Sequence, residues 1–434
     1  MVNLALSERP TRVAIIGAGP AGSTLAALLA RKGASVVMFD DGARPPLIVG
    51  ESLVPLMVPI FRRLGIEEEV AKIGVYKPGV NFTFDEKESI QLFFTATHGV
   101  LPPYAYNVPR KEFDDLILRT ALESGARCVQ TAAKLEAVKN GVREKSRVKL
   151  SSEMLAQVPE WDGEPDFVID ASGRRRLFAK LLGIGAKLGK RKDVSHFAHY
   201  ENAPWPEPAG HVMTIRLQYG WAWRIPLPGP KLSIGVVLNR DDAKKFGSTP
   251  EEQLEAIINN EPRIAKDCGE RQRITEVATF ANYQLISDYG SGENWTMVGD
   301  AFGFVDPMLS PGLCMAMVSA EKLADILPAH GGFQPGIPAQ LDAYWRWLRG
   351  MLAAWQNLID YFYDGRMFAL QRTGLDMATR YPGKFSDLMQ THMETNLSGM
   401  ATGAYINRPY SKWLLRTMGK YGIRGHKPED FAIR

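Results

Sequence analysis

The sequence predicts an α/β protein: a Rossmann-like three-layer domain, an antiparallel β-sheet inserted into it, and a helical C-terminal region. Three observations carry this. An apolar run from Val13 to Ile16 breaks into Gly17-Ala18-Gly19-Pro20-Ala21-Gly22 and passes into an alanine- and leucine-rich stretch, Ser23 to Lys32. Between about 187 and 285 the helical period fades and strict alternation replaces it. From about 338 the chain is again helical and rich in aromatic residues. The expected units are 1–185 with 286–330, then 186–285, then 335–434; the first takes in the stretch at about 75–110.

The elements follow in order. Gly17 permits a tight turn after the first strand, Gly19 lets backbone approach a pyrophosphate, and Gly22 lets helix and strand pack closely. Free N–H groups and the dipole at the helix start favour phosphate. Ser35 to Phe39 forms a second strand ending at Asp40, where an acid for ribose hydroxyls is expected. Strand, turn, helix, strand and acid in that order read as a dinucleotide site. Val58 to Leu64 reads as a helix stopped by Gly65. Val80, Phe82 and Phe84 alternate as in a half-buried strand, and the Pro78-Gly79 turn places Lys77 at its entrance. Tyr104 to Arg110 is a short strand running into an amphipathic helix, and Gly125 to Leu150 is β-rich. Asp166 to Gly173 is a buried strand that returns to the α/β layer.

In the inserted sheet, Trp221, Trp223 and Ile225 fall on one face of a strand, with Ala222 and Arg224 on the other. Leu232 to Leu238 is a further strand. Trp295 to Ala301 is a buried strand with Asp300 at its carboxyl end, where ligands of open α/β sheets gather. A loop from Phe302 to Pro307 follows, then Leu309-Ser310-Pro311-Gly312 and a helix from Leu313 to Leu327. Proline and glycine at that start leave amides free to face a ligand.

Composition sets outer bounds. A net charge of +4 over 434 residues is too small to argue for nucleic acid. No apolar run reaches membrane-spanning length. Met1 to Glu8 lacks a basic stretch followed by an apolar one, so no signal peptide is expected. Cys128, Cys268 and Cys314 are few and scattered, which fits a reducing, cytoplasmic setting. The seven histidines (98, 196, 199, 211, 330, 392 and 426) show no metal-ligand spacing beyond the loose pair His196 and His199, so no metal is expected. His196, His199 and His211 flank the sheet; a structural role is expected for them, with lining of a substrate pocket as the sharper reading.

The order of motifs resembles the FAD-dependent oxidoreductases of the aromatic-hydroxylase fold, carried by Gly17 to Gly22, the Arg110 region, Asp170-Ala171-Ser172-Gly173 and Gly299-Asp300-Ala301. Three features resemble one branch, the flavin-dependent halogenases. They are Trp221-x-Trp223-x-Ile225-Pro226, Gly50-Glu51-Ser52, and Lys77 before Pro78-Gly79 and Phe82. Gly299-Asp300-Ala301-Phe302-Gly303-Phe304-Val305-Asp306-Pro307 is also similar to that branch's Gly-Asp-Ala motif. The resemblance covers residues 12 to about 325. It implies FAD, used as FADH2 from a separate flavin reductase, with chloride or bromide as co-substrate and an aromatic small molecule as acceptor. It assigns catalysis to Lys77, Trp221, Trp223 and Ser310. It assigns the cofactor to Gly17, Gly19, Pro20, Ala21, Gly22, Asp40, Glu51, Ser52, Arg110, Asp300, Pro307, Gly312 and Leu313. In the family, hypohalous acid forms at the flavin and a lysine beyond a tryptophan wall captures the halogen or polarises it.

Two departures shape the expectation. Leu309 stands where tryptophan-specific members carry glutamate, which looks more like the branch acting on phenols or pyrroles, often attached to a carrier protein. Pro311 stands where a backbone N–H is expected to hold halide, leaving the Gly312 and Leu313 amides. Three basic runs, Arg174-Arg175-Arg176, Lys187 to Lys192 and the tail from Arg408, are candidates to dock an acidic carrier or the reductase. Two other readings stand beside the halogenase. One is a single-component FAD monooxygenase or dehydrogenase using NAD(P)H; the other is a flavoprotein retained for binding alone.

Overall fold

The computed structural model describes residues 9–85, 88–97, 99–138, 145–281 and 284–434. The expectations for Met1 to Glu8 and for His98 fall outside them. Val13 to Ile16 is buried on both sides, as a central parallel strand must be. Its strand, Arg12–Ile16, lies between Phe167–Asp170 and Ser35–Asp40, and Trp295–Met297 and Arg127–Gln130 close the two edges. All four pairings are parallel. The chain therefore returns to one sheet from positions more than a hundred residues apart, as Asp166 to Gly173 led one to expect.

The first helix runs Pro20–Arg31, starting before the expected Ser23. Gly19 is extended and Pro20 occupies the first helical position, where its missing N–H costs nothing. The same displacement recurs in Pro311–Ile326, expected from Leu313. These two helices pack against each other on one face of the sheet. Gly65 closes Val58–Leu64 in the left-handed region, at φ 66°.

A second, eight-stranded sheet contains the alternating segments. Gly220–Pro226 sits between Val212–Leu217 and Leu232–Asn239, both antiparallel to it. Gly79–Thr83 and Ser89–Phe93 extend this sheet, and Gly79–Thr83 pairs with Val212–Leu217 in parallel. Trp221, Trp223 and Ile225 join the core shared with the first sheet, whereas Ala222 faces a separate core. That second core includes Leu254, Ile258 and Ile264 from two helices, Pro250–Asn260 and Pro262–Cys268. The stretch from 187 to 285 was expected to be sheet alone, so these helices correct that reading. Their signal was present: Thr249 and Glu252 form a reciprocal capping box at a helix start. A smaller correction is Gly303–Phe304, a two-residue strand within the expected loop.

The C-terminal region is helical, as expected, and begins with the long helix Ile337–Tyr363. It packs on Pro311–Ile326, so the tail braces the element that leaves the site. The three cysteines are free. Among the described residues no helix is long and apolar enough to cross a membrane.

Candidate active site

The glycine loop is shaped by contact as much as by torsion. Gly17 has φ 107°, and a Cβ on Gly22 would lie 2.0 Å from the Gly17 carbonyl oxygen. Only glycines allow strand and helix to meet this closely. Asp40 braces the loop from the next strand, its carboxylate accepting from the Ala18 amide at 2.7 Å and the Gly42 amide at 2.8 Å. Arg44 pairs with the same carboxylate at 3.0 Å. Partial burial raises the Asp40 pKa, but the hydrogen bonds from Arg44, Ala18 and Gly42 outweigh it and hold the carboxyl below its ordinary value.

Gly17 and Asp40 line a cleft of about 240 Å³. It shares Gly19, Pro45, Ile48, Ala171 and Gly173 with a larger cavity of about 350 Å³. The larger cavity is lined by Gly19, Pro20, Ala21, Glu51, Ser52, Lys77, Arg110, Trp221, Trp223, Asp300, Pro307, Ser310, Gly312 and Leu313. Apart from Gly22, which lies beneath the loop, the sequence-predicted site residues are thus gathered in one continuous space. The turn after Phe167–Asp170 completes the junction. Buried Asp170 accepts from the Ser172 and Phe178 amides at 2.9 and 2.8 Å, fixing Ala171 to Gly173.

This space fits FAD on the donor set alone. A glycine-walled cleft opens on first-turn amides, an acid lies at the second strand end, and a wider apolar chamber continues from it. Arg110 lies at the junction, its guanidinium bidentate to Asp114 at 2.9 Å and bonded to the Val49 carbonyl. Arg174 also lines the larger cavity, while Arg175 pairs with Asp41 and Arg176 donates to Ser287. Arg174 and Arg175 thus line the larger cavity and the cleft respectively, and both remain exposed.

Lys77 is the last residue of Val75–Lys77, which pairs antiparallel with Ala105–Asn107. It thus ends one strand rather than entering the next, a local correction. On the other side of Ala105–Asn107 runs the Glu51 to Leu53 segment, with Leu53 N–H donating to Tyr106 and Val108 N–H donating to Glu51. The lysine side chain crosses this narrow sheet. Its Nζ donates to Ser52 Oγ at 2.6 Å and to the Leu53 carbonyl at 2.7 Å. Lys77 is 3% exposed, and burial lowers its pKa to about 7. Phe94, 5.3 Å from Nζ, covers it from above.

The paired indoles stand 5.6 Å apart and are both buried. A Cβ on Gly235 would lie 2.2 Å from the Trp223 ring, so this strand position must stay bare. Trp223 donates to Ser233 at 3.2 Å, and Trp221 donates to Tyr363 at 2.9 Å. Arg224, on the opposite face, pairs with Asp267 at 2.8 Å. At the far wall, Leu309 and Ser310 both have positive φ, 69° and 58°. Two consecutive non-glycine residues held there store strain of about 1–3 kcal/mol each, a feature that concentrates at functional sites. The Ser310 amide is already bonded to the Pro307 carbonyl at 2.9 Å, and Pro311 has none. Gly312 and Leu313 follow in the first helical turn, where amides have no partner within the helix.

None of the three flanking histidines lines the cavity. His199 pairs with Glu51 at 2.6 Å, His196 bonds Thr279 at 2.9 Å, and His211 bonds Asn81 at 3.0 Å. Burial, and then the Lys77 charge, lower the His211 pKa to about 4. Sequence reasoning named Asp306 only as part of a motif and gave no role to its carboxyl, whose pKa burial pushes up to about 6, or to its partner Tyr363. It passed over Phe94 as well, since a lone phenylalanine carries no spacing signal.

Comparison with known proteins places this geometry. Residues 10–345 match the FAD binding domain family. The 1H-pyrrole-2-carbonyl-[peptidyl-carrier protein] brominase of Pseudoalteromonas luteoviolacea (strain 2ta16) is 31% identical over 363 residues, covering 81% of this chain and 85% of that protein. The flavin-dependent brominase Bmp2 superposes with a TM-score of 0.69 at 24% identity, covering 97% of each chain. A flavoprotein/dehydrogenase from Cytophaga hutchinsonii superposes at 0.75 with 22% identity, covering 95% of this chain and 98% of that one. The shared fold is thus wider than one chemistry, and the sequence identity to the brominase is what narrows it. This chain belongs to the flavin-dependent halogenases, within the FAD binding domain family.

Proposed function

We propose that the enzyme is the halogenating half of a two-component system, taking FADH2 from a separate reductase and halogenating an electron-rich pyrrole or phenol ring. Chloride or bromide is the co-substrate, and a carrier-bound acyl ring is the form the brominase similarity favours. The observation that supports this most is the amine of Lys77, buried in the indole-walled cavity and donating to the Ser52 hydroxyl and the Leu53 carbonyl.

Gly17 to Gly22 and Asp40 would hold the adenosine diphosphate end, with Arg110, Glu51, Ser52, Asp300, Pro307, Gly312 and Leu313 around the flavin end. Bound in reduced form, FAD supplies with oxygen the two-electron oxidation that turns halide into hypohalous acid. The chain's own residues do the rest. Gly312 and Leu313 offer N–H groups to halide at the helix start, in place of the amide Pro311 lacks. Trp221 and Trp223 separate that end from the ring to be modified. Lys77 then receives the halogen: its lone pair forms a nitrogen–halogen bond as the oxygen–halogen bond of hypohalous acid breaks, and the hydroxide leaves as water with the proton the nitrogen gives up. A neutral amine has two N–H groups, and Ser52 and Leu53 accept both, leaving the lone pair for the electrophile. Desolvation makes that neutral form accessible near pH 7, which an exposed lysine would not reach. The apolar lining that Val80, Phe82, Phe94 and the indoles give this cavity suits a ring that is already a good nucleophile and needs no base.

Supplying FADH2, bromide or chloride, and a panel of pyrroles and phenols, free and carrier-bound, tests this by mass. Gain of halogen is expected, and its absence with every acceptor overturns the reading. Pro311 is the observation that favours a single-component monooxygenase instead. Rapid reduction of the bound flavin by NADPH in air would decide for that reading.

A further inference from the structure

Asp306 is fully buried, yet its two oxygens serve three donors from three different parts of the chain. The Met308 amide donates to Oδ1 at 2.9 Å; Gln284 Nε2 and the Tyr363 hydroxyl donate to Oδ2 at 3.0 and 2.9 Å. Tyr363 Oη in turn accepts from the indole N–H of Trp221 at 2.9 Å. One unbroken line of hydrogen bonds therefore runs from the wall indole, through a phenol on the last residue of Ile337–Tyr363, to the carboxylate that shapes the Met308 turn. Directly after Met308 come the left-handed Leu309 and Ser310. The phenol is itself fixed: the Arg191 guanidinium lies 4.0 Å from its ring centroid and is held by Asp193 at 2.6 Å.

An indole has a single polar atom, so the partner of that atom sets which way the ring is turned. A loop with consecutive left-handed non-glycine residues keeps its shape only if its surroundings over-determine it. Here one carboxylate does both, and the tail helix supplies the connecting group. We propose that Tyr363 and Asp306 are positioning residues that lock the Trp221 indole to the Met308–Ser310 loop, keeping the partition closed so that oxidant reaches Lys77 instead of escaping. This rests on the halogenase reading above and assigns the aromatic tail a part in it.

The test separates the link from its consequence. Tyr363→Phe removes one oxygen and keeps the ring. With 15N-labelled indoles in the cofactor-free full chain, the Trp221 N–H resonance, identified by its loss in Trp221→Phe, should move in Tyr363→Phe to the position of an unbonded indole. An unmoved resonance overturns the link, whatever reaction the protein performs. For the consequence, halide-dependent oxidant is counted with a diffusible scavenger and compared with halogenated ring formed. Loss of one such buried hydrogen bond should leave total oxidant within about twofold of wild type and cut the fraction reaching the ring about fivefold. The Tyr363→Phe and Trp221→Phe effects on that fraction should not multiply, since they remove the same bond. An unchanged fraction, or fully multiplicative effects, overturns the role. A wild-type protein that makes no halogenated ring instead overturns the halogenase reading, and the indole spectrum still decides the link.

Discussion

The two ends of the site are built on opposite principles. The proposed dinucleotide end is built largely on backbone: glycines that let chain approach chain, helix-start amides, and a carboxylate whose first duty is to hold the Ala18 amide. The proposed substrate end rests on the side chains of Lys77, Phe94 and Trp221, with Ser52 reaching Lys77 from the cofactor end and Tyr363 bonded to Trp221 from behind. A backbone site tolerates much change around it and fails abruptly when a Cβ intrudes. A side-chain site degrades in steps, as successive partners are removed.

The sharpest way to break that contrast lies at its chemical extreme. Lys77→Ala should lower ring halogenation on the order of a thousandfold, the scale lost with a positioned reactive group, while scavenged oxidant stays near wild type. Lys77→Arg keeps charge and donors but offers no neutral amine, so it should be equally inactive. A variant in which oxidant formation falls in parallel would mean that the lysine serves the cofactor end.

Gly22→Ala probes the other end. The added methyl would meet the Gly17 carbonyl oxygen at 2.0 Å, and backbone there has nowhere to yield. Overpacking of this kind costs about 1–3 kcal/mol, which at the cofactor appears as a roughly ten- to hundredfold weaker FAD affinity. Flavin fluorescence titration reads it directly. Here the fraction of oxidant reaching the ring should not change, because the partition and Lys77 are untouched.

This contrast also explains what was legible in the sequence. Gly17, Gly19, Gly22 and the acid at Asp40 fall within one strand–turn–helix–strand unit, so their spacing encodes their geometry directly. The indole face was equally readable, since alternation placed Trp221 and Trp223 together before any partner was known. Lys77 was found through resemblance, because nothing local marks a lysine that will be buried. Tyr363 was invisible: it meets Trp221 across 142 positions through a helix whose pattern says only that one face is apolar. The helices at 250–268 were missed for a different reason. The alternation around them dominated, although the Thr249–Glu252 box announced a helix start.

The pH profile sharpens the side-chain half. Burial lowers the Lys77 pKa to about 7, so the ammonium dominates below that pH and the amine above it. If the amine accepts halogen, ring halogenation rises with pH through about 7 and then levels. Below that, it falls roughly tenfold for each unit, as the neutral fraction does. Scavenged oxidant, measured alongside, should not follow that curve. A profile that instead falls as pH rises through 7 would assign the work to the ammonium as a hydrogen-bond donor.

The smallest expected effect discriminates most finely. Ser52 Oγ accepts from Nζ at 2.6 Å, and such an acceptor favours the ammonium over the amine, because the ammonium is the stronger donor. Ser52→Ala therefore removes a stabiliser of the charged form, and the midpoint of the profile should move to lower pH. The plateau should also drop, by about two- to tenfold, since the amine keeps only the Leu53 carbonyl to aim it. Both changes must come together if the serine both tunes and orients the lysine. A lower plateau with an unmoved midpoint would leave orientation alone. A midpoint moving upward would mean that the hydroxyl donates to the amine lone pair, in which case Ser52 must turn away before the halogen can be received.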